Sequence, residues 1–351
     1  DHEATAAQVE AVCEVVRGLG FSPRPMPGAE RTAVGIVGND GPIEPARFAG
    51  MPGVRQTISV SAPYKLVSRE WRREDTVVAL ANGTRIGAEG VVIMGGPCAV
   101  ESETQLMAAA EVVARSGATM LRGGAFKPRT SPYSFQGLGQ EGLRLLAKAR
   151  DRFGLAVITE AMDPEGARMV ADIADVIQIG ARSMQNYALL REVGRLGRPV
   201  MLKRGMSATV KEWLLAAEYI LHAGNPNVVL CSRGIRGFDT ATRNVLDVGT
   251  IALVKRLSHL PVIADPSHAT GVRDLVVPAA RAAIAAGADG VIVETHPAPA
   301  EALSDGQQAL YPAQFHSMVT QLEAIAAAIG RPTQRRGAAD DVLREASAHP
   351  L

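Results

Sequence analysis

Residues 156–182 read AVITEAMDPEGARMVADIADVIQIGAR, and this stretch contains the unit that decides the fold. Two short apolar runs, Ala156–Thr159 and Val176–Ile179, flank a helical stretch long enough for one crossover. A short continuous apolar run is typical of a parallel strand that is buried on both faces. The stretch therefore predicts a β-α-β unit, with the polar residues Glu160 and Arg182 just beyond its strands.

The same unit recurs along most of the chain. Helical stretches such as Glu103–Ser116 and Lys211–Ala223 separate six further apolar runs. The further runs are Val91–Met94, Thr119–Leu121, Val200–Leu202, Val228–Cys231, Val262–Ala264 and Gly290–Val293. Eight strand–helix units in series predict an α/β fold of the (β/α)₈ TIM-barrel class rather than an open doubly wound sheet.

Residues 1–68 differ from this pattern and predict a small α+β domain of the ferredoxin-like type, with its first strand absent. The pattern indicates two helices and two strands in this domain. They are helix Thr5–Leu19, strand Arg31–Val37, helix Pro45–Ala49 and strand Val54–Ser61.

Residues 69–90 are interpreted as a linker that contains a barrel-capping hairpin. Val77–Leu80 and Thr84–Ile86 flank Asn82-Gly83, a strong turn signal. The catalytic barrel is then expected over 91–330, and a C-terminal tail over 331–351, with a short helix near Asp340–Ala346.

The composition narrows the function class. The chain has 351 residues, 47% of them apolar, and a formal net charge of +1, so neither a nucleic-acid surface nor a membrane partner is expected. Its three cysteines are far apart, which favours reduced thiols and a cytoplasmic location.

Active sites of such barrels lie at the carboxyl ends of the strands, and two chemical groups of residues collect there. The first group is cationic and suits phosphate and carboxylate ligands. Its members are Arg122, Lys127, Arg129, Arg182, Lys203 and Arg233. Six cations at one mouth would repel each other, so we expect two phosphorylated ligands, one of them also a carboxylate, to supply the countercharge.

The second group combines one thiol, one imidazole and two carboxylates. Its members are Cys98, His268, Glu294 and Asp305, from the ends of the first, seventh and eighth strands and the loop after the eighth. Those strands are neighbours once the barrel closes. This mixed set suits one divalent metal of borderline character, namely Mn, Fe, Co or Zn. Cys231 lies inside a strand run and Cys13 in the first helix, so both are interpreted as packing residues.

Seven long motifs resemble 3-deoxy-D-arabino-heptulosonate 7-phosphate (DAHP) synthases of type Iβ. They are GGPCAVES at 95–102, LRGGAFKPRTSPYSFQGLG at 121–139, QIGARSMQN at 178–186, LKRG at 202–205, SRGIRGFD at 232–239, IADPSHATG at 263–271 and VETHPAPAEALSDGQQAL at 293–310. ERTAVGIVGNDGPIEPARF and APYKLVSREWRREDT also resemble the N-terminal ferredoxin-like regulatory domain of some members. The resemblance covers about residues 25–330.

This resemblance implies a metal-dependent, aldol-like condensation of phosphoenolpyruvate with erythrose 4-phosphate, the first step of the shikimate pathway. The family's metal ligands fall on the mixed set above. Its phosphoenolpyruvate site falls on Arg122, Lys127, Glu160, Gly180, Ala181, Arg182, Lys203 and Arg233. Its aldose-phosphate contacts fall on Lys127, Pro128, Arg129 and Thr130. Lys127 and Glu160 are the expected proton-transfer residues, beside the metal ligands Cys98 and His268.

The resemblance also bears on partners, and it leaves two alternative functions open. It implies a homotetramer and control by an aromatic amino acid (Tyr or Phe) acting on residues 1–68, and a partner such as chorismate mutase is compatible with the barrel. One alternative is an octulosonate 8-phosphate synthase with arabinose 5-phosphate as the acceptor. Such enzymes typically carry Lys-Ala-Asn-Arg-Ser where this chain has Lys-Pro-Arg-Thr at 127–130, which favours erythrose 4-phosphate. The other alternative is a barrel that serves mainly as a regulatory partner.

Overall fold

The computed structural model describes residues 1–28, 31–38, 43–58, 63–128 and 131–335. The chain divides into two compact units, Asp1–Arg73 and Glu74–Leu351, whereas the pattern placed the first boundary at residue 68. The predicted C-terminal helix near Asp340–Ala346 lies outside the described residues. No helix in the described ranges is long and apolar enough to cross a membrane.

The first unit contains a helix, a two-stranded antiparallel sheet and a short second helix. Its elements are α1 (Ala6–Gly18), β1 (Ser22–Pro27), β2 (Thr32–Val37) and α2 (Ala46–Ala49). The strand predicted over Val54–Ser61 is wrong for residues 54–58, which form no strand, and its remainder lies outside the described residues.

Strand β1 was missed by the sequence pattern, because its sequence SPRPMP alternates proline with other residues. Proline cannot donate a backbone hydrogen bond, so such a run argues against an ordinary strand. Alternate residues of a strand point their N–H groups to the same side, and the three prolines therefore share one side. The N–H groups of Ser22, Arg24 and Met26 stay free to pair with β2, so the prolines are tolerated at the sheet edge.

The second unit begins with a hairpin, β3 (Val78–Ala79) and β4 (Arg85–Ile86), which confirms the predicted turn. Leu80 N–H donates to Thr84 O at 2.8 Å, and Gly83 adopts a left-handed φ of 87° that lets the three-residue loop close. Asn82 Nδ2 donates to Thr119 O at 3.0 Å, at the amino end of a barrel strand.

All eight predicted strands form one closed parallel barrel, so the (β/α)₈ fold is confirmed. The barrel strands are β5 (Val92–Gly96), β6 (Met120–Arg122), β7 (Ala156–Ala161), β8 (Val176–Ile179), β9 (Val200–Lys203), β10 (Val228–Ser232), β11 (Val262–Ala264) and β12 (Gly290–Glu294). The helices are α3 (Glu103–Arg115), α4 (Gln140–Phe153), α5 (Pro164–Ile173), α6 (Tyr187–Leu196), α7 (Val210–His222), α8 (Val248–Leu257), α9 (Pro266–Thr270), α10 (Arg273–Ala285) and α11 (Pro312–Ala328).

The barrel interior is a packed core rather than a channel. Inward side chains of the strands form one buried cluster with Val78, Leu80 and Ile86 of the hairpin. The hairpin therefore packs against the amino end of the barrel, opposite to the carboxyl ends where sites of such barrels lie.

Candidate functional site

The four residues of the predicted metal set lie together at the carboxyl end of the barrel. Cys98 follows β5, His268 lies in α9 just after β11, Glu294 ends β12, and Asp305 lies in the loop beyond it. One donor atom from each lies within 4.8 Å of all the others. Strands β11, β12 and β5 are consecutive neighbours in the barrel, which is why residues so far apart in sequence meet.

The donor set fits a divalent metal. Cys98 Sγ lies 3.2 Å from Asp305 Oδ2, and His268 Nε2 lies 3.3 Å from Glu294 Oε1. Asp305 has a φ of 53° and is the one described non-glycine residue with positive φ. Aspartate is one of the non-glycine residues that adopt this left-handed backbone most readily. A thiol, an imidazole and two carboxylates that converge in this way match the ligands that Mn, Fe, Co or Zn accept.

His268 is oriented by the start of its own helix. Asp265 caps α9, since its Oδ1 accepts the His268 N–H at 3.0 Å, and its Oδ2 lies 2.8 Å from His268 Nδ1. Carboxylates in this position commonly orient metal-binding histidines. Burial alone would raise the pKa of the Asp265 carboxyl, but His268 and Lys203 beside it hold that pKa well below its usual value.

Lys127 lies against the thiol of Cys98. Its Nζ donates to Cys98 Sγ at 2.9 Å and to Cys98 O at 3.0 Å, and both side chains are buried. Burial, followed by the charge of Glu294, raises the pKa of the Cys98 thiol to about 12. The thiol is therefore protonated at neutral pH when no metal is bound, and a metal must displace its proton.

The protein itself neutralises part of the cationic group. Arg122 Nη1 donates to Glu294 Oε1 at 2.8 Å, and Lys203 Nζ donates to Asp265 Oδ2 at 2.6 Å. Glu294 and Asp265 thus supply part of the countercharge that was expected from ligands. Because Glu294 is shared, the metal set and the cationic group form one continuous electrostatic unit.

Arg233 is the cation that most needs an external anion. It is buried, and its Nη1 finds no hydrogen-bond partner among the described residues. Burial lowers the pKa of its guanidinium, and the neighbouring cations Arg243 and Arg182 lower it further. A buried guanidinium with an unused donor is suited to a phosphate. Arg182 is exposed on a short 3₁₀ turn, Ala181–Ser183.

Glu160 lies near the end of β7, and its position depends on Gly180. Gln178 Nε2 donates to Glu160 Oε2 at 3.1 Å. A Cβ atom on Gly180 would lie 2.0 Å from Glu160 Oε1, so only glycine leaves room for this carboxylate. Arg122, Glu160 and Gln178 lie close together near the carboxyl ends of β6, β7 and β8, which brings the predicted proton-transfer residue next to the cationic group.

The remaining predicted site residues are placed only in part. Pro128 is half-buried, while Arg129 and Thr130 lie outside the described residues, so the predicted aldose-phosphate contacts stay predictions. Cys231 packs in the barrel core and Cys13 is buried in α1, which agrees with their interpretation as packing residues.

Several residues of the site were missed from the sequence. Asp265 and Ser267 directly follow β11, so their position at a strand end was the available signal. Ser304, Gln308 and Arg243 lie in long loops, and spacing alone could not have brought them to the site. Ser304 Oγ lies 3.2 Å from Cys98 Sγ, and Ser267 Oγ accepts the Glu294 N–H at 2.9 Å.

The fold and this site define a class of protein: a (β/α)₈ barrel whose open end combines a candidate metal group with a buried cationic pocket. Comparison with known proteins identifies the family. Residues 75–329 match the DAHP synthetase I family, and residues 1–62 match the DAHP synthase ferredoxin-like domain. The chain therefore belongs to the DAHP synthetase I family.

Individual relatives agree with this assignment. A phospho-2-dehydro-3-deoxyheptonate aldolase of Thermotoga maritima is 46% identical over 327 residues, which cover 93% of this chain and 96% of the relative. The crystal structure of a DAHP synthase from Thermotoga maritima has a TM-score of 0.77 at 45% identity, covering 95% and 98% of the two chains. A 2-dehydro-3-deoxyphosphooctonate aldolase of Chromobacterium violaceum is more distant, 32% identical over 71% of this chain and 94% of its own.

Proposed function

We propose that the chain is a 3-deoxy-7-phosphoheptulonate synthase, which condenses phosphoenolpyruvate with erythrose 4-phosphate to DAHP and phosphate. The observation that carries this proposal is the shared carboxylate of Glu294, which lies 3.3 Å from His268 and 2.8 Å from Arg122. This residue joins a candidate metal group to a cationic pocket. Such a site is suited to an aldehyde and an anionic carboxylate that must react with each other.

In this proposal the buried cations hold phosphoenolpyruvate. Arg122 would bind its carboxylate, because an arginine fork matches that group and Arg122 lies closest to the metal group. Lys203, Arg233 and Arg182 would bind its phosphate. The unused Nη1 of Arg233 supports this assignment, since the donor is already desolvated and oriented before a ligand arrives.

Cys98, His268, Glu294 and Asp305 would hold one divalent metal, with Mn, Fe, Co and Zn as the candidates. When bound, such a metal acts as a Lewis acid on an aldehyde oxygen. Asp265 Oδ2, 2.8 Å from His268 Nδ1, would hold a protonated Nδ1 and leave Nε2 facing the other three donors. Arg122 and Lys127 lie beside the four donors and limit the repulsion among their negative charges.

The reaction needs one proton delivered and one removed. C3 of phosphoenolpyruvate forms a bond to the aldehyde carbon, whose oxygen becomes a hydroxyl and takes up a proton. Water adds to C2 and loses one proton. The C–O bond to phosphate then breaks as the new C2 hydroxyl becomes the ketone, and the proton of that hydroxyl passes to the departing phosphate. Lys127 is the proposed proton donor, since its buried Nζ lies at the metal group, and Glu160 is proposed to orient the water and accept its proton.

The decisive experiment follows the loss of phosphoenolpyruvate absorbance with two acceptors. We expect turnover with erythrose 4-phosphate that EDTA stops and Mn²⁺ restores. Turnover only with arabinose 5-phosphate would instead assign the chain to octulosonate synthesis. Absence of turnover with both acceptors, in folded and metal-loaded protein, would contradict the proposal and favour a regulatory barrel.

The first unit is proposed to be a regulatory domain that binds an aromatic amino acid. Its match to the ferredoxin-like domain of the family supports this, and Tyr and Phe are the two candidate effectors. Calorimetry on the full chain with each amino acid is expected to show heat of binding. Steady-state assays are expected to show a changed turnover rate when that amino acid is present. A homotetramer, which the resemblance implies, and a chorismate mutase partner remain predictions. The three free cysteines suit a reducing compartment, which supports the cytoplasmic location that we propose.

A further inference from the structure

Two residues outside the predicted site connect the two carboxylates of the metal group. Gln308 Nε2 donates to Glu294 Oε2 at 2.7 Å, and Gln308 Oε1 accepts from Arg243 Nη1 at 3.0 Å. Arg243 Nη2 in turn donates to Asp305 Oδ1 at 3.1 Å. One unbroken row of hydrogen bonds thus runs from Glu294 to Asp305, and we call Arg243 and Gln308 the carboxylate frame.

The chemistry of the frame is specific to an amide. Gln308 is fully buried and must both donate to a carboxylate and accept from a guanidinium. A carboxylate at this position would lack the donor, and an apolar side chain would lack both functions. Because Arg122 already holds Glu294 Oε1, the bond from Gln308 to Oε2 fixes the rotation of this carboxylate completely.

Asp305 is oriented in the same way. The Gln308 N–H donates to Asp305 O at 3.1 Å, so both residues belong to one turn, in which Asp305 has its left-handed φ. Arg243 occupies Oδ1, and this leaves Oδ2 directed at Cys98 Sγ, 3.2 Å away. Each carboxylate therefore has one oxygen tied to the frame and the other facing the metal group.

Arg243 can act as a frame because its own backbone is fixed. Its N–H donates to Thr270 O at 2.9 Å, at the end of the helix that carries His268. The next residue, Asn244, donates from Nδ2 to His268 O at 3.0 Å. A Cβ on Gly271 would lie 2.7 Å from Arg243 Cβ, so the two segments are in close contact. The frame thus joins Glu294 and Asp305, and its backbone lies against the helix that carries His268.

We propose that Arg243 and Gln308 are positioning residues that hold Glu294 and Asp305 in the orientation that binds the metal. This inference rests on the metal site of the proposed function. Without the frame, the two carboxylates would turn away from each other. The free energy needed to bring them together would then reduce the free energy of metal binding. Loss of such partners typically weakens metal affinity about 10- to 100-fold.

The test is Mn²⁺ calorimetry on metal-free protein, together with the visible spectrum after Co²⁺ loading. Gln308→Met and Arg243→Met are each expected to raise the Mn²⁺ Kd about 10- to 100-fold and to shift the Co²⁺ spectrum. The double variant should bind about as weakly as the weaker single variant, because both residues lie in one row of bonds. Arg256→Met, a matched change at an exposed arginine of α8, should bind as wild type.

Arg243→Lys keeps the charge but lacks the planar fork whose two nitrogens bind Gln308 and Asp305 separately, and should give an intermediate Kd. The Arg243 variants also keep the test possible if Gln308→Met does not fold. The Arg243 side chain is 36% exposed, so its replacement disturbs the packing less. Unchanged Mn²⁺ affinity and Co²⁺ spectrum in folded variants would overturn the proposed positioning role. Fully additive losses of Mn²⁺ affinity in the double variant would also overturn it. Failure of the wild type to bind Mn²⁺ would instead contradict the metal site itself.

Discussion

The Cys98→Ser variant is expected to lose about 10³-fold or more in kcat/KM while remaining folded, since a Lewis acid contributes several kcal/mol and each ~1.4 kcal/mol is tenfold in rate. A serine hydroxyl is a poor ligand for a borderline metal, because it gives up its proton far less readily than a thiol. The small change in volume leaves the surrounding contacts almost intact. The kcat/KM should therefore fall steeply, while the melting temperature, measured by circular dichroism, should change little.

The pKa of the Cys98 thiol, raised to about 12, gives this variant a second readout. In the wild type, metal binding displaces the thiol proton, so Mn²⁺ affinity should rise with pH throughout the range below that pKa. Calorimetry in two buffers of different ionisation heat should therefore detect one proton more released by the wild type than by Cys98→Ser. An equal proton release would contradict a metal–thiolate bond.

Cys231→Ser is the matched control. This cysteine is buried in the barrel core and takes no part in the metal group. A hydroxyl without a hydrogen-bond partner in that core should lower the stability by about 1–3 kcal/mol. The folded fraction should keep normal turnover and metal affinity. If Cys98→Ser behaved like this control, losing stability but not metal binding, then Cys98 would be a packing residue.

Gly180→Ala is the second substitution with a large expected effect. The added methyl would lie 2.0 Å from Glu160 Oε1, and that carboxylate is the movable end of a side chain. Gly180 has φ −67° and ψ 158°, an extended conformation that alanine adopts without strain. The cost to folding should therefore be small, while Glu160 is forced out of its position beside Gln178. We expect kcat to fall about 10²- to 10⁴-fold, the usual contribution of a positioned acid or base.

Steady-state kinetics on three variants would check this explanation. Gly180→Ala, Glu160→Ala and the double variant should all show similar kcat values, because each removes the same carboxylate from its place. Gly249→Ala is the control, since its methyl would meet nothing closer than 3.8 Å. A further large loss in the double variant would mean that Gly180 contacts the substrate directly rather than through Glu160.

The barrel could be predicted almost completely from the sequence, because each buried parallel strand is a continuous apolar run. The run Val176–Ile179 matches strand β8 to the residue. Strand β1 could not be predicted, since its prolines disguise a strand that needs hydrogen bonds on one side only. The alternation of the prolines marks the unpaired side of the strand, but only once the segment is known to be a strand at a sheet edge.

Part of the candidate site was predictable from residues at or just beyond strand ends, although Asp265 and Ser267, which also follow a strand, were not assigned to it. Cys98, His268 and Glu294 were found in this way, because the barrel brings all strand ends to one mouth. Gln308 and Arg243 were not, because their positions depend on how long loops fold back over that mouth. The contribution of Asp265 to the charge balance was also not foreseen, since Asp265 acts on Lys203 from 62 positions further along the chain.

The hairpin around Asn82 and Gly83 separates two requirements that compete in many enzymes, namely stability and activity. It packs against the barrel at the end opposite to the chemistry, and Asn82 ties it to the chain at Thr119 O. Selection for heat tolerance can therefore act on this hairpin without disturbing the reacting groups. We expect related proteins from hotter or colder habitats to differ in this hairpin, while the residues at the carboxyl end of the barrel remain the same.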